Sequence, residues 1–346
     1  MRVNQICLRP LPKTVSLCAS ALHQSSPPVI VISVAQVFTS VCVWLSCLAA
    51  LTIPMVVLAS GPSATVFAVT EVAEGVFVHP GRHVDISHSA RGDSANIGFI
   101  VGSECIAVVD SGGALNVGKA LHQAIKARSS KPICYVINTH VHFDHVLGNA
   151  AFAYLNVEFV GHQNLAQALT ANREFFSDNF AQELGGGSAP GVIAPTIVVE
   201  ETLQLDLGQR ILTLTAQPVS HSHTDLTVLD KQTKTLFSGD LVSIDRLPII
   251  DGSLKGWLAW IAEAEALSIS QVVPGHGPTS APWPEAVDPL LDYLNALLRD
   301  GRNAVRDGVT LGDATATMSR AAAQPWLVND RHGRNVSKVY RELEWE

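Results

Sequence analysis

The feature that most limits how this chain can fold is the heptapeptide THVHFDH, which carries His140, His142, Asp144 and His145 directly after the apolar run ICYVIN. A short apolar run of this kind predicts a buried strand, and loops held by such a scaffold usually carry the chemistry. The chain has only 13 histidines in 346 residues, so this clustering needs an explanation. The alternatives are a polar turn that happens to be rich in histidine and a metal site.

The spacing within the cluster favours the metal site. In an extended segment, His140, His142 and Asp144 would project to the same side. His145 would point away unless the chain turns there, and the following VLGNAAF is typical of a helix start that supplies such a turn. Imidazole nitrogen and carboxylate oxygen suit zinc or another borderline divalent ion. We therefore expect two adjacent ions, one held by His140 and His142 and the other by Asp144 and His145.

Further imidazoles and carboxylates recur downstream at the ends of apolar runs. They are His221 and His223 in PVSHSHTDLTV, Asp240 in LFSGDLV and His276 in VVPGHGP. Each one stands beside glycine, serine or proline, as expected where a strand gives way to a loop. These residues are therefore candidates to complete the ligand set.

The pattern of strands and helices predicts an α/β fold. Short β-branched runs punctuated by glycine, such as GVFVHPG, NIGFIVG and CIAVVDSGG, are typical of strands, and several more lie within Ile197–Val242. Apolar residues at helical spacing predict helices in ALNVGKALHQAIKARS, over 164–184, in LKGWLAWIAEAEAL and through the C-terminal tail. Two groups of strands, each accompanied by helices, predict two sheets packed face to face with helices outside, in one domain.

The N-terminal segment differs from the rest of the chain. From Thr14 to Thr70 there is no charged residue, and a long apolar stretch ends in the small residues GPSA. A weakly basic start, an apolar stretch and a small-residue tail predict an export signal, cleaved near Ala64. The apolar stretch is also long enough to span a bilayer, so an uncleaved membrane anchor is the alternative. The predicted division is 1–64 for this leader and 65–346 for the folded domain, which we expect in the periplasm.

Charge and cysteine content exclude some classes of function. The formal net charge is −8 and no run of Lys or Arg occurs, which argues against a nucleic-acid partner. Four of the six cysteines lie in the leader, and Cys105 and Cys134 each lie in an apolar run. We interpret these two as buried free thiols.

THVHFDH, a later histidine, SGD and PGHG, in that order, resemble the metallo-β-lactamase superfamily. The resemblance spans roughly Val72 to Pro278 and implies a four-layer αββα sandwich, with a metal site between the tops of its sheets and here a helical C-terminal tail. Asp110, in VVDSGG, matches a motif whose aspartate is structural and lies near the site. More narrowly, INTHVHFDHVLGNAAF, DLTVLD, PWPEAV and the terminal HGRN and ELEWE resemble the exported quinoprotein-relay-system zinc metallohydrolases, relatives of the sulfur-oxidation H protein.

The resemblance also implies which later histidine is a ligand. In the family, the ligand histidine stands four positions before the small or polar residue that opens an apolar strand. Counting back from Asp225 gives His221, whereas His223 fits only with a two-residue gap. We expect His223 to be a neighbour of the site that either supports a ligand or faces solvent. The implied ligands are His140, His142, Asp144, His145, His221, Asp240 and His276.

The activity implied is that of a hydrolase with two zinc ions, whose shared water attacks an ester, a thioester or a similar small substrate as hydroxide. Asp144 would bind metal and orient this nucleophile. One branch of β-lactamases has cysteine where Asp240 stands, so β-lactam opening ranks lower. Iron in place of zinc is an alternative, as is a non-hydrolytic redox or metal-handling role with periplasmic quinoprotein dehydrogenases. Arg246 and Asp245 are interpreted as residues of a solvated loop, with substrate contact as the alternative.

Overall fold

Two β-sheets form the centre of the computed structural model, which describes residues 67–187 and 191–346. The first sheet has β1 to β4 antiparallel and β4 to β7 parallel. Its strands, in spatial order, are β1 (Thr70–Ala73), β2 (Val76–His79), β3 (Ile97–Val101), β4 (Ile106–Val109), β5 (Ile133–Ile137), β6 (Glu158–His162) and β7 (Ile197–Val199).

The second sheet is antiparallel except where β11 runs parallel to β12. Its spatial order is β13-β12-β11-β10-β9-β8. The strands are β8 (Thr202–Asp206), β9 (Ile211–Ala216), β10 (Leu226–Asp230), β11 (Thr235–Ser243), β12 (Gln271–His276) and β13 (Ala281–Pro282).

Helices cover the outer faces of both sheets. Leu121 and Ile125 of α1 pack in one buried cluster with Phe99 of the first sheet. Trp257 of α5 packs with Leu241 of the second sheet, in a cluster that also includes α6 and α9. The helices are α1 (Leu115–Arg128), α2 (Phe143–Val146), α3 (Leu165–Ala171), α4 (Arg173–Asn179), α5 (Leu254–Ala264), α6 (Asp288–Arg306), α7 (Leu311–Thr317), α8 (Arg320–Ala323) and α9 (His332–Leu343).

The alternation of side chains along the strands explains the layers. Val272 and Val273 are neighbours in β12, yet Val272 belongs to the cluster under the C-terminal helices and Val273 to the cluster between the sheets. Successive strand residues point to opposite faces, so both faces of this strand are apolar and both are covered. The predicted αββα sandwich with a helical C-terminal tail is confirmed.

Two local predictions were wrong. The single helix predicted over 164–184 is broken at Asn172 into α3 and α4 and ends at Asn179. Cys105 and Cys134 are not free thiols, because the structure joins them in a disulfide with their Cα atoms 5.9 Å apart. The parallel pairing of β4 with β5, which sets Ile106 opposite Ile133, brings the two cysteines together. Strand pairing of this kind could not be inferred from residues 29 positions apart.

The predictions for the leader, including the boundary at residue 64, lie outside the described residues. Within 67–187 and 191–346, no helix combines the length and apolar character needed to cross a membrane.

Candidate metal centre

The seven predicted ligands meet at one edge of the sandwich, where β5, β11 and β12 end. They form two groups, and within each group one ligand atom per residue lies within 4.8 Å of the others. The first group is His140, His142, His221 and Asp240, and the second group is Asp144, His145 and His276. The structure therefore brings all seven side chains together, and their role as metal ligands stays a prediction.

The turn that separates the two groups comes earlier than the sequence predicted. Helix α2 begins at Phe143, with His142 as its extended N-terminal flanking residue. Asp144 is therefore helical rather than part of the extended segment that holds His140 and His142. Because the chain turns before Asp144, both Asp144 and His145 point away from the first group and belong to the second group.

In the first group, three imidazole nitrogens point at a common position. Nδ1 of His142 lies 3.0 Å from Nε2 of His140 and 3.0 Å from Nε2 of His221. Oδ2 of Asp240 lies 3.7 Å and 3.6 Å from the same two Nε2 atoms. Three nitrogens and one carboxylate oxygen are a donor set that suits a four-coordinate divalent cation such as zinc.

The outer nitrogens of two of these rings are held by one loop. Oδ2 of Asp251 accepts a hydrogen bond from Nε2 of His142 at 2.7 Å, and Arg334 contacts the other oxygen of the same carboxylate. The carbonyl of Ile249 accepts from Nδ1 of His221 at 2.8 Å. Because a neutral imidazole carries one proton, these bonds leave the inner nitrogens free to bind a cation.

Helix α9 fixes this loop from behind. The fully buried Asn335 accepts from the backbone N–H of Ile250 at 3.0 Å and donates to the carbonyl of Pro248 at 2.6 Å. Glu342 accepts from Oγ of Ser253 at 2.7 Å and from the N–H of Leu254 at 2.8 Å. The loop 248–254 is therefore held in place by the C-terminal helix, and with it the partners of His142 and His221.

The second group is held by residues that precede it in the chain. The carbonyl of Ser94 accepts from Nδ1 of His276 at 2.8 Å, and its hydroxyl donates to Oδ2 of Asp144 at 2.8 Å. Oδ2 of Asp110 accepts from Nδ1 of His145 at 2.7 Å. The inner Nε2 atoms of both histidines are thereby left free to bind a cation, as in the first group.

Asp110 is itself held in an unusual backbone conformation, with φ at 56°. Its carboxylate accepts from the N–H of Thr139 at 2.8 Å and from the hydroxyl of Thr139 at 2.7 Å. The same hydroxyl accepts from Nδ1 of His140 at 3.1 Å. Asp110 thus contacts His145 of the second group directly and His140 of the first group through Thr139. It has the supporting position that the resemblance implied.

Asp240 lies between the two groups. Its Oδ1 is 3.2 Å from Nε2 of His145, and its Oδ2 is 3.2 Å from Nε2 of His276. Burial alone would raise the pKa of Asp240, but the imidazoles of His276 and His145 outweigh burial and hold this pKa well below its usual value. A carboxylate in this position can bridge two ions.

Buried polar atoms without partners test whether the residues fit a metal. Nε2 of His145 and Oδ1 of Asp240 are both buried; they lie 3.2 Å from each other without the alignment of a hydrogen bond, and neither has a hydrogen-bond partner within the described ranges. A buried polar group without a partner is costly. Burial lowers the pKa of His145, but the carboxylates of Asp240 and Asp110 raise it well above its usual value. The site favours a positive charge here, and the residues present fit a divalent cation.

The two histidines of HSHTDLTV are in different positions. His221 is fully buried in the first group, and burial lowers its pKa to about 4, which favours the neutral form that binds metal. His223 is exposed, and its carbonyl accepts a hydrogen bond from Asn164. The structure thus places His221, and not His223, within the first group.

The sequence analysis missed Asp251 and Ser94, which hold first-group and second-group ligands respectively. Asp251 belongs to no motif; its only signal is a carboxylate between the apolar run LPII and the N-cap serine of α5. Ser94 carries no comparable signal, because a serine in RGDSAN is typical of any turn.

A cavity of about 580 Å³ opens onto both groups. Polar residues from both groups line it, including His142, Asp144, Asp240 and His276. A large part of its wall is apolar, and the residues there include Ile86, Val141, Phe143, Ala168, Phe175, Phe176, Leu247 and Ile249.

Comparison with known proteins places this geometry in context. The family model of the metallo-beta-lactamase superfamily matches residues 90–276. The acyl-coenzyme A thioesterase MBLAC2 of Homo sapiens is 29% identical over 242 residues, which are 61% of this chain and 81% of that protein. The same thioesterase of Bos taurus matches to the same extent.

Solved structures agree on the fold. The metallo-beta-lactamase from Pontibacter korlensis aligns with a TM-score of 0.54 at 20% identity, over 66% of this chain and 98% of that chain. The stereoselective inverting sec-alkylsulfatase Pisa1 from Pseudomonas sp. aligns with a TM-score of 0.59 at 17% identity, over 80% of this chain and 50% of that chain. At these identities the likeness shows the fold alone.

Proposed function

We propose that this chain, which belongs to the metallo-beta-lactamase superfamily and is a hydrolase, cleaves acyl thioesters with two zinc ions. The observation that carries the substrate class is the cavity with an apolar wall, which opens directly onto both ligand groups. An acyl chain would bury apolar surface against this wall beside the metal centre. The similarity to acyl-coenzyme A thioesterases supports the same class.

The residues around the cavity have distinct roles in this proposal. Ions bound by the two groups would acidify a water molecule and polarise the carbonyl oxygen of the substrate. Asp144 lines the cavity, and Ser94 fixes one of its carboxylate oxygens. These contacts support a role for Asp144 in which it would orient the attacking water. Phe143 and Phe176 in the wall would exclude bulk water from the scissile bond.

Opening of β-lactams ranks below thioester cleavage. The lactamase neighbours are too distant in sequence to indicate more than the fold. Asp240 stands between the two groups, where a bridging carboxylate is expected of thioester-cleaving and phosphodiester-cleaving relatives. Iron in place of zinc, and a partnership with quinoprotein dehydrogenases, stay predictions.

We also propose that the protein is exported to the periplasm. The disulfide between Cys105 and Cys134 supports this location, because structural disulfides persist in oxidising compartments. The uncharged apolar leader supports it as well. Release by osmotic shock of a mature chain that begins near Thr65 is expected; recovery of the full-length chain in washed membranes would instead show an anchor.

The central experiment measures metal content and turnover together. Protein purified without added metal is analysed for zinc and iron, and hydrolysis of a hexanoyl thioester is followed with a thiol reagent. Asp144→Asn should lower kcat by about 100-fold or more, the usual contribution of a positioned proton acceptor. His223→Ala should keep the wild-type metal content, because His223 lines the cavity but belongs to neither ligand group. Wild-type turnover in Asp144→Asn with intact metal content would overturn the role of Asp144. A metal-loaded protein that cleaves no thioester would overturn the function.

A further inference from the structure

Three arginines line the cavity at the metal centre, and they differ in their partners. Arg331 lies 3.3 Å from a carboxylate oxygen of Asp85, and Arg334 contacts Asp251. Nη1 of Arg246, in contrast, is buried and has no hydrogen-bond partner in the described part of the chain. A buried N–H of a cationic group without an acceptor is costly. The position of Arg246 therefore calls for an acceptor that the described residues do not supply.

The backbone that carries Arg246 is fixed against the second group. The N–H of Ile244 donates to the carbonyl of His276 at 2.9 Å. The hydroxyl of Ser243 donates to the carbonyl of Arg246 at 2.8 Å. The guanidinium thus extends from a rigid segment beside His276, into the cavity that Asp144 also lines.

Four carboxylates line this cavity, and none of them makes a hydrogen bond to Nη1 of Arg246. Asp144 attracts the guanidinium through space, but its Oδ2 accepts from the hydroxyl of Ser94. Asp240 faces the imidazoles of His145 and His276. Asp85 accepts from the N–H of Ser87 at 2.8 Å and lies beside Arg331. Asp251 is bonded to His142 and Arg334. Arg246 is accordingly the lining arginine that is available to an anion from solution.

An available guanidinium next to an apolar wall suits an amphiphilic substrate with a negative group near its reacting end. Building on the proposed thioesterase function, we infer that Arg246 binds a carboxylate of the substrate and selects anionic acyl thioesters over neutral ones. The carboxylate can belong to the acyl part or to the thiol part, because both flank the scissile bond.

Three thioesters test this assignment. They are the hexanoyl thioester of mercaptoethanol, which is neutral, the hexanoyl thioester of mercaptopropionate, and the adipoyl monothioester of mercaptoethanol. The wild type should favour at least one carboxylate-bearing compound in kcat/KM by about tenfold or more, as expected for a hydrogen bond to a charged group. The favoured compound tells which side of the scissile bond carries the carboxylate.

Matched variants locate the effect. Arg246→Met should remove the preference, and Arg246→Lys should keep part of it because the charge remains without the planar fork. Arg331 lines the same cavity but already pairs with Asp85, so Arg331→Met should keep the wild-type preference. Thermal unfolding of each variant verifies that the fold is intact. An equal loss on all three thioesters in Arg246→Met, or a preference that survives there, would overturn the assignment.

A binding measurement separates this inference from the proposed function. Non-hydrolysable thioether analogues of the three compounds are titrated by calorimetry into the metal-loaded wild type and Arg246→Met. If no thioester is cleaved but a carboxylate-dependent gain in affinity disappears in Arg246→Met, the thioesterase function fails and the subsite stands. If the analogues show no carboxylate-dependent difference, the subsite is overturned whatever the turnover.

Discussion

The first and second ligand groups contain similar side chains, but different parts of the molecule hold them. The second group is held by Ser94 and Asp110, which lie in the segment 90–276 that the family model matches. The first group is held by the loop 248–254, which helix α9 fixes through Asn335 and Glu342. One group is thus complete within the matched segment, whereas the other depends on residues beyond it. A helix far outside the histidine motif can therefore set the geometry of a candidate metal site.

The largest effect is expected where the two groups meet. Asp240→Ala removes the carboxylate that lies within 3.7 Å of nitrogens from both groups, so both should lose affinity for metal. The loss of activity should be on the order of 100-fold or more, because a metal's electrostatic contribution is several kcal/mol. Native mass spectrometry counts the bound ions. Retention of two tightly bound ions would contradict the position of Asp240 between the groups.

A smaller effect, confined to one group, is expected for Asp251→Ala. Loss of the partner of His142 Nε2 should lower the affinity of the first group for its metal ion (the first ion) by about 10- to 100-fold, as is usual for residues that orient a ligand. The second ion should keep its affinity, so a metal titration should show one tight and one weak site. Ser94→Ala is the matching change for the second group. An equal loss of metal affinity at both sites in Asp251→Ala would show that the two groups are not held separately.

The contribution of α9 is tested by Asn335→Ala. This change leaves the buried N–H of Ile250 and the carbonyl of Pro248 without partners, and it should cost about 1–3 kcal/mol of unfolding free energy. As the loop 248–254 becomes less well held, the affinity of the first group for its ion should also fall. Ser337→Ala on the same helix is the control, because its hydroxyl bonds only to the helix's own Gly333 carbonyl. Both the free energy of unfolding and metal affinity are measured. If Asn335→Ala lowers the metal affinity of the second group and leaves that of the first group unchanged, the role of α9 is refuted.

The smallest effect is expected for Arg334→Met. Arg334 contacts Asp251, but its side chain is 55% exposed. Water screens such a pair, so its loss should change metal affinity by no more than about 1 kcal/mol. A change as large as that of Asp251→Ala would show that the arginine, rather than the loop, holds the carboxylate.

Much of the site could be predicted because ligand chemistry is visible in the residue types. His140 and His276 each follow an apolar run, and the ends of neighbouring strands meet at one edge of a sandwich. Asp251 and Asn335 could not be predicted, because their roles depend on a loop and a helix 85 residues apart in sequence. The disulfide was missed for a related reason, since it requires knowing that β4 and β5 are neighbours.

Some features of the fold could be predicted from the sequence, and others could not. Alternation and apolar runs decide where strands lie, so the two sheets and their covering helices could be predicted. The start of α2 at Phe143 follows an extended backbone at His142, and the break between α3 and α4 follows a non-helical backbone at Asn172. Neither is visible in hydrophobic periodicity.

The position of α9 has a consequence for the order in which the protein matures. A polypeptide emerges with its N-terminus first, whether from a ribosome or from an export channel, so residue 276, the last of the seven predicted ligands, is free to fold before residues 332–343. The second group can therefore acquire its supports while the polypeptide is still emerging, whereas the loop 248–254 beside the first group is fixed only after α9 has folded. An ion bound early would be held by the second group, and the first group would bind its ion tightly only after the C-terminal helix has docked.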